Sequence, residues 1–224
     1  MASTITNYGT LKTAIADYIN RKDLTARIPD FISFGEGDIF RGFMTRTGNL
    51  SLRCRENIES AELVPVDGVI SIPADYRELI EVTMADKGVT PMSQQFYNTL
   101  RNYTGQTTRF TQRANDWYQY PLSDTTDTFN IKYFADYSGT LVNDADTNPV
   151  LTAMPDLYLF AALSEAEVFI KNDSRSATWD SKLESNIRSC NADYRRSLYS
   201  GATMAQRTQY REVQTTRTIS HGIN

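Results

Sequence analysis

Residues 148–199 read NPVLTAMPDLYLFAALSEAEVFIKNDSRSATWDSKLESNIRSCNADYRRSLY. The spacing predicts two antiparallel helices. Asn148-Pro149 and Met154-Pro155 punctuate the start, because a residue before proline is pushed out of the helical region. Pro155 suits a first helical turn, where a missing N–H costs nothing, and Asp156 lies near the positive end of the helix dipole. From Leu157 to Ile170 apolar residues wrap most of the cylinder. Leu157, Phe160, Ala161 and Val168 lie on one side, and Leu159, Ala162, Leu163, Ala166, Phe169 and Ile170 on the other. A helix apolar nearly all round is buried, or covered on two sides. Lys171-Asn172-Asp173 breaks it, and Asp173 or Ser174 is placed to cap the next. That second helix carries a narrower stripe of Trp179, Leu183, Ile187, Cys190, Tyr194 and Leu198, at steps of three and four. Gly201 is placed as its stop. The expected helical core is Leu157, Phe160, Leu163 and Phe169 from the first helix, with Trp179, Leu183, Ile187, Tyr194 and Leu198 from the second.

Outward from this hairpin, the N-terminal residues predict a second helical pair. Thr6 or Asn7 caps a helix whose buried face is Leu11, Ile15, Tyr18 and Ile19. Asn20-Arg21-Lys22-Asp23 is a polar turn. A further helix follows Pro29, with Ile28, Phe31, Ile32, Ile39, Phe40 and Phe43 as its apolar positions. Gly35 and Gly37 inside it cost about 1 kcal/mol each relative to Ala, and mark a close helix crossing, an interruption or a tolerated weak spot.

From residue 47 to about 137 the period falls to two. Strands are expected around Leu50, Leu52 and Cys54, reaching to Asn57-Ile58, and at Val69–Ile72, Tyr76–Met84, Arg109–Arg113, Trp117–Tyr120 and Phe129–Ala135. Asp86-Lys87-Gly88 turns a hairpin into Val89–Met92, and Ser93 caps a short helix to Leu100. In the last strand, Phe129, Ile131, Tyr133 and Ala135 share one face, with Asn130, Lys132 and Phe134 on the other. The fold class is therefore α+β, mainly α: a bundle of about four helices, a small antiparallel β-subdomain inserted over residues 47–147, and an extended C-terminal arm. Residues 1–46 and 148–200 form the helical pairs of a single domain, 1–200. Residues 201–224 lack periodicity, and their scattered apolar side chains do not offset an ordering cost of roughly 1–2 kcal/mol per residue. This segment needs another surface, and an extended strand on a partner's edge suits it.

The formal net charge of −4 over 224 residues argues against a protein that grips nucleic acid through a dense basic surface. The arginines of the last helix, Arg188, Arg195 and Arg196, alternate with acids and read as a mixed, solvated face. The two cysteines, Cys54 and Cys190, are expected to be reduced. No apolar run follows a basic start, so no secretory leader is expected, and no span is long enough for a bilayer. Catalytic signals are equally thin. His221 stands alone in the arm, without neighbours for a zinc site. Gly35-Glu36-Gly37 sits in an apolar periodic segment, not a phosphate loop. Glu165 and Glu167, two apart, do not share a helix face. The aspartates of the middle, Asp116, Asp124, Asp127, Asp136, Asp144 and Asp146, read as solvated turn residues, with a carboxylate-lined face as the sharper alternative. No catalytic residue, metal ligand or cofactor is expected.

Several pieces, in order, resemble the head-to-tail adaptor (connector) proteins of tailed bacteriophages, especially short-tailed ones. They are Tyr8-Gly9-Thr10-Leu11, Ala16–Arg21, Arg27-Ile28-Pro29-Asp30-Phe31-Ile32, Ile72–Leu79, Pro155–Leu163 with Lys171-Asn172-Asp173 and Trp179, and Asp193–Arg196 running to Gly201. The chain departs from the pattern at Gly35-Glu36-Gly37, where the family more often has alanine around the glutamate. The resemblance implies a structural protein of the virion neck, assembled in the host cytoplasm. It implies a ring of about twelve subunits below the portal, with a tail nozzle or hub protein beneath it and double-stranded DNA passing non-specifically through the lumen. It also implies an arm that reaches the portal, which in this chain puts Arg207, Tyr210, Arg211, Val213, Arg217 and Ile219 at that contact. No membrane is involved. The alternative is another virion interaction module, such as a tail-completion or minor tail protein.

Overall fold

A computed structural model describes residues 3–46, 48–84, 87–100, 105, 107–121 and 128–199. Helix α1 (Tyr8–Ile19) opens on Asn7, whose Oδ1 accepts from the Thr10 N–H at 2.9 Å while Thr10 Oγ1 accepts from the Asn7 N–H at 3.0 Å. This reciprocal cap answers two of the donors that a helix start leaves unpaired. Leu11, Ile15 and Ile19 are buried as the spacing predicts, but Tyr18 is half exposed and lies edge-on to Trp179.

After a short 3-10 turn, α2 (Ile28–Phe40) starts with Pro29 in its first turn. It ends before Phe43, contrary to expectation, because Gly42 turns the chain with φ +91°. Phe43 instead opens β1 (Phe43–Thr45), which pairs with β2 (Gly48–Leu50). Leu52 and Cys54 are buried but lie on no strand; the Leu52 N–H reaches back to the Ile39 carbonyl at 2.9 Å, and the Asn57 side chain closes the next turn. The strand that follows is β3 (Ile58–Leu63), of which only Ile58 falls within the expected strand.

The middle holds two four-stranded sheets. One has the order β3-β10-β5-β6, with β5 Tyr76–Met84, β6 Lys87–Gly88 and β10 Phe129–Ala135. The other has the order β4-β9-β8-β7, with β4 Val69–Ser71, β7 Thr90–Pro91, β8 Arg109–Arg113 and β9 Asp116–Tyr120. Helix α3 (Gln94–Leu100) lies between β7 and β8 in the chain. The pairing is antiparallel except for β7 with β8, which is parallel. Tyr76 of β5 stands edge-on to Trp117 of β9, with ring centroids 5.5 Å apart, and also touches Tyr133 of β10. Phe110 of β8 lies 4.8 Å from Trp117, so these rings seal one sheet to the other. Two register shifts in the β10–β5 ladder alter the simple alternation of β10. Phe134, expected opposite Tyr133, is buried as well.

Asn148 caps α4 (Pro149–Ala153) by accepting from the Leu151 N–H, so this stretch is a helix and not mere punctuation. Helices α5 (Pro155–Ile170) and α6 (Asp173–Tyr199) follow, separated by Lys171 in the left-handed conformation (φ 64°). Because α6 begins at Asp173, the carbonyl that accepts from Ser176 N–H belongs to Asn172, one residue before the expected cap. Helix α5 packs against α1, α2 and α6. A Cβ on Gly35 would stand 2.9 Å from Ala161 Cβ and 3.0 Å from the α5 backbone, which identifies Gly35 as the point of close crossing. The architecture is α+β, with all the described strands lying between two helical regions.

Candidate interaction surfaces

Of the expected helical core, Leu157, Leu163, Leu183, Ile187 and Trp179 are buried, and Phe160 and Tyr194 are partly so. Trp179 stacks on Phe160 at 5.7 Å, and the Lys182 ammonium sits 4.5 Å over its ring. Phe169 and Leu198 depart from expectation: they are 56% and 57% exposed. In the last turn of α5 the inward position belongs to Glu167, only 2% exposed, which the Arg175 guanidinium reaches at 3.1 Å across the turn into α6. Periodicity assigns charge to the outside and cannot see such a pair. Phe169 keeps one ring face on Phe31 and turns the other outward. Phe34 and Val168 are exposed on the same two helices. Leu198 sits in the final turn of α6, past the packed region. Met44 of β1, 83% exposed, and Val66 and Val142 in loops add further uncovered apolar side chains. The arm residues Arg207, Tyr210, Arg211, Val213, Arg217 and Ile219 lie outside the described residues.

Charged groups mostly have structural partners. Asp144 takes Lys12 at 2.5 Å. Asp146 accepts from the Val142 and Asn143 N–H groups, which hold its carboxyl below the usual range. Asp136 accepts from the Ser138 N–H. These are turn aspartates, as the simpler reading has it; Asp124 and Asp127 lie outside the described residues. A separate acidic group forms where α2, α5 and α6 meet. Burial pushes Asp38 upward and the nearby Asp180 adds to it. Burial also pushes Glu165 upward, followed by Asp38 and Asp180. Asp180 is held by the Ser164 hydroxyl. Among the described residues no group of three or more His, Cys, Asp or Glu side chains is arranged to hold a metal ion. Both cysteines are free, and burial pushes the Cys54 thiol up to about 12.

Two further buried polar residues were not foreseen. Asn191 of α6 accepts from the Arg53 N–H at 2.7 Å and donates to the Ser51 carbonyl at 2.9 Å, fastening the last helix to the segment before β3. Glu36 of α2, 3% exposed, accepts from the Gly139 N–H at 2.9 Å through Oε2, while Oε1 meets no donor among the described residues. Burial raises its pKa to about 7. Asn191 carried no signal in its own stretch, since its partners lie some 140 residues away in the chain. For Glu36 the signal was the Gly-Glu-Gly departure: a carboxyl between two glycines on an apolar helix.

The open surfaces are shallow. The outer face of the first sheet presents Ser60, Glu62, Glu81, Thr83, Asn130 and Lys132 around a depression of about 350 Å³. Near the end of α6, Leu50 and Asn191 are ringed by Arg188, Arg195 and Arg196. The described surface carries uncovered apolar side chains, and many of its charges are tied up in turns and ion pairs. The model of the SU10 adaptor protein family matches residues 6–208. The chain belongs to this family of bacteriophage adaptor proteins, a structural family. No curated protein matches it. Among the described residues no helix is long and apolar enough to cross a membrane.

Proposed function

We propose that the chain is a head-to-tail adaptor of a short-tailed phage, assembling as a ring of about twelve copies in the virion neck. It joins the portal above to a tail nozzle or hub protein below, and genome DNA passes through its lumen. The arm, through Arg207, Tyr210, Arg211, Val213, Arg217 and Ile219, meets the portal. The family match carries this reading, because it runs through both helical regions, the inserted strands and the start of the arm. The exposed Phe34, Val168 and Phe169 suit a subunit flanked by neighbours. The net charge of −4 suits a channel that lets DNA slide.

Native mass spectrometry of the chain, alone and with portal, tests the proposal. Rings, or assembly on adding portal, are the expected result; a strict monomer that never binds portal overturns it. Removing residues 201–224 is expected to leave the helical circular dichroism intact and to weaken portal attachment. Unchanged attachment removes the arm from the account. A particle map placing the chain away from the portal would return the tail-completion or minor tail reading.

A further inference from the structure

The sheet β3-β10-β5-β6 ends on β3, and among the described residues no strand pairs with its outer edge. Sheets usually blunt such edges with Lys, Pro, a bulge or a covering segment. Ile58–Leu63 contains neither Lys nor Pro, and its register with β10 is unbroken over all six residues. Its charges are Glu59 and Glu62. The chain then continues through exposed Val64 and Val66. This is a complete, acidic ladder edge that no described residue fills.

The last helix passes near the start of that edge. Phe134 stands opposite Ile58 in the ladder, and Tyr194 of α6 packs against Phe134 with ring centroids 5.5 Å apart. The helix ends five residues later, about 7.5 Å further along its axis. Residues 208–219 read TQYREVQTTRTI. This segment has no Gly or Pro, and seven of its twelve residues are Thr, Val, Ile or Tyr, the types that favour strands. Arg211 and Arg217 against Glu212 give it a net charge of +1, opposite in sign to β3. The intervening residues 200–207 can extend about 26 Å.

We propose that in the free subunit part of Thr208–Ile219 adds as a strand to the β3 edge of its own chain. The tether favours the same copy, since a short linker raises the effective concentration of the arm at the edge. Edge and arm then mask each other, so that neither joins another copy prematurely, and the portal must displace the arm to take it. This regulatory step rests on the reading of the arm as the portal contact.

Residue-resolved amide hydrogen exchange on the full-length free subunit tests it, comparing the natural chain with a Val213→Pro/Thr216→Pro variant. The outward amides between Glu59 and Leu63 are expected to exchange about tenfold faster in the variant, with α5 unchanged. The protection should hold over an about hundredfold dilution, because pairing within one chain does not depend on concentration. Equal rates in the two chains overturn the proposal, and so does protection that fades on dilution, which would mean that a second copy fills the edge. No portal is present in this measurement, so its failure leaves portal attachment to stand or fall on the deletion described above.

Discussion

Replacing Glu36 with glutamine should stabilise the protein at high pH and not at low pH. In the folded chain the carboxyl is buried, with one oxygen on the Gly139 N–H and the other without a donor among the described residues. Its pKa rises from the ordinary 4.5 to about 7, chiefly through desolvation; Asp136 adds to the rise, and the Gly139 N–H and Arg41 oppose it. Between those two values the folded chain keeps a proton that the unfolded chain has released. Stability contributed by the protonated form is therefore whole below 4.5, falls as pH rises toward 7, and stays lost above it. The interval corresponds to at most roughly 3 kcal/mol, at about 1.4 kcal/mol per pH unit. The amide of the Glu36→Gln variant keeps an oxygen for Gly139 and cannot ionise. Urea unfolding of both chains at pH 5 and pH 9 should give a stability difference that moves in favour of E36Q by about 2 kcal/mol between the two, the contributions of all other groups cancelling. A difference that does not change with pH would falsify the assignment of Glu36 as the buried titrating group.

Gly35→Ala and Gly37→Ala should part company. Each gains about 1 kcal/mol of helix propensity, but a Cβ at Gly35 meets the α5 backbone at 3.0 Å while one at Gly37 meets only the movable end of Arg41. Overpacking of roughly 1–3 kcal/mol should leave G35A melting about 2–10 °C below G37A in a thermal scan; equal melting temperatures would remove the close crossing. Asn191→Ala should cost about 2 kcal/mol in urea unfolding, because it strands the Arg53 N–H and the Ser51 carbonyl. Asn191→Asp keeps the acceptor for the Arg53 N–H but sets a buried carboxylate against the Ser51 carbonyl, so it should lose at least as much while the Arg53 amide stays protected from exchange.

The four long helices and most strands were legible because their signals are local. Leu157 to Ile170, Tyr76 to Met84 and Phe129 to Ala135 each carry their period in one run, and the elements fall within a few residues of it. What escaped depends on partners far away in the chain. β3 reads as IESAEL, with weak alternation, and forms a strand because β10 lies beside it with matching register. Phe169 reads as core, yet Glu167 takes the inward place because Arg175 waits beyond the turn. The surface features followed the same rule. Sequence pointed to exposed, structural aspartates in the middle, and hydrogen bonds within turns account for Asp136 and Asp146. It could not show that Asp38, Glu165 and Asp180 converge from three helices.

The chain passes into its strand region and returns from it beside the same helix. On the way in, the Leu52 N–H is tied to the Ile39 carbonyl; on the way back, the Gly139 N–H is tied to the Glu36 carboxyl, less than one helical turn away. The excursion thus enters and leaves through one doorway on α2, and Asn191 and Tyr194 of α6 hold it as well. Loops within it could lengthen, shorten or be exchanged for others without shifting the helices behind the doorway. That would let a lineage refit the outer part of this subunit to a new neighbour while the scaffold carrying it stays as it was.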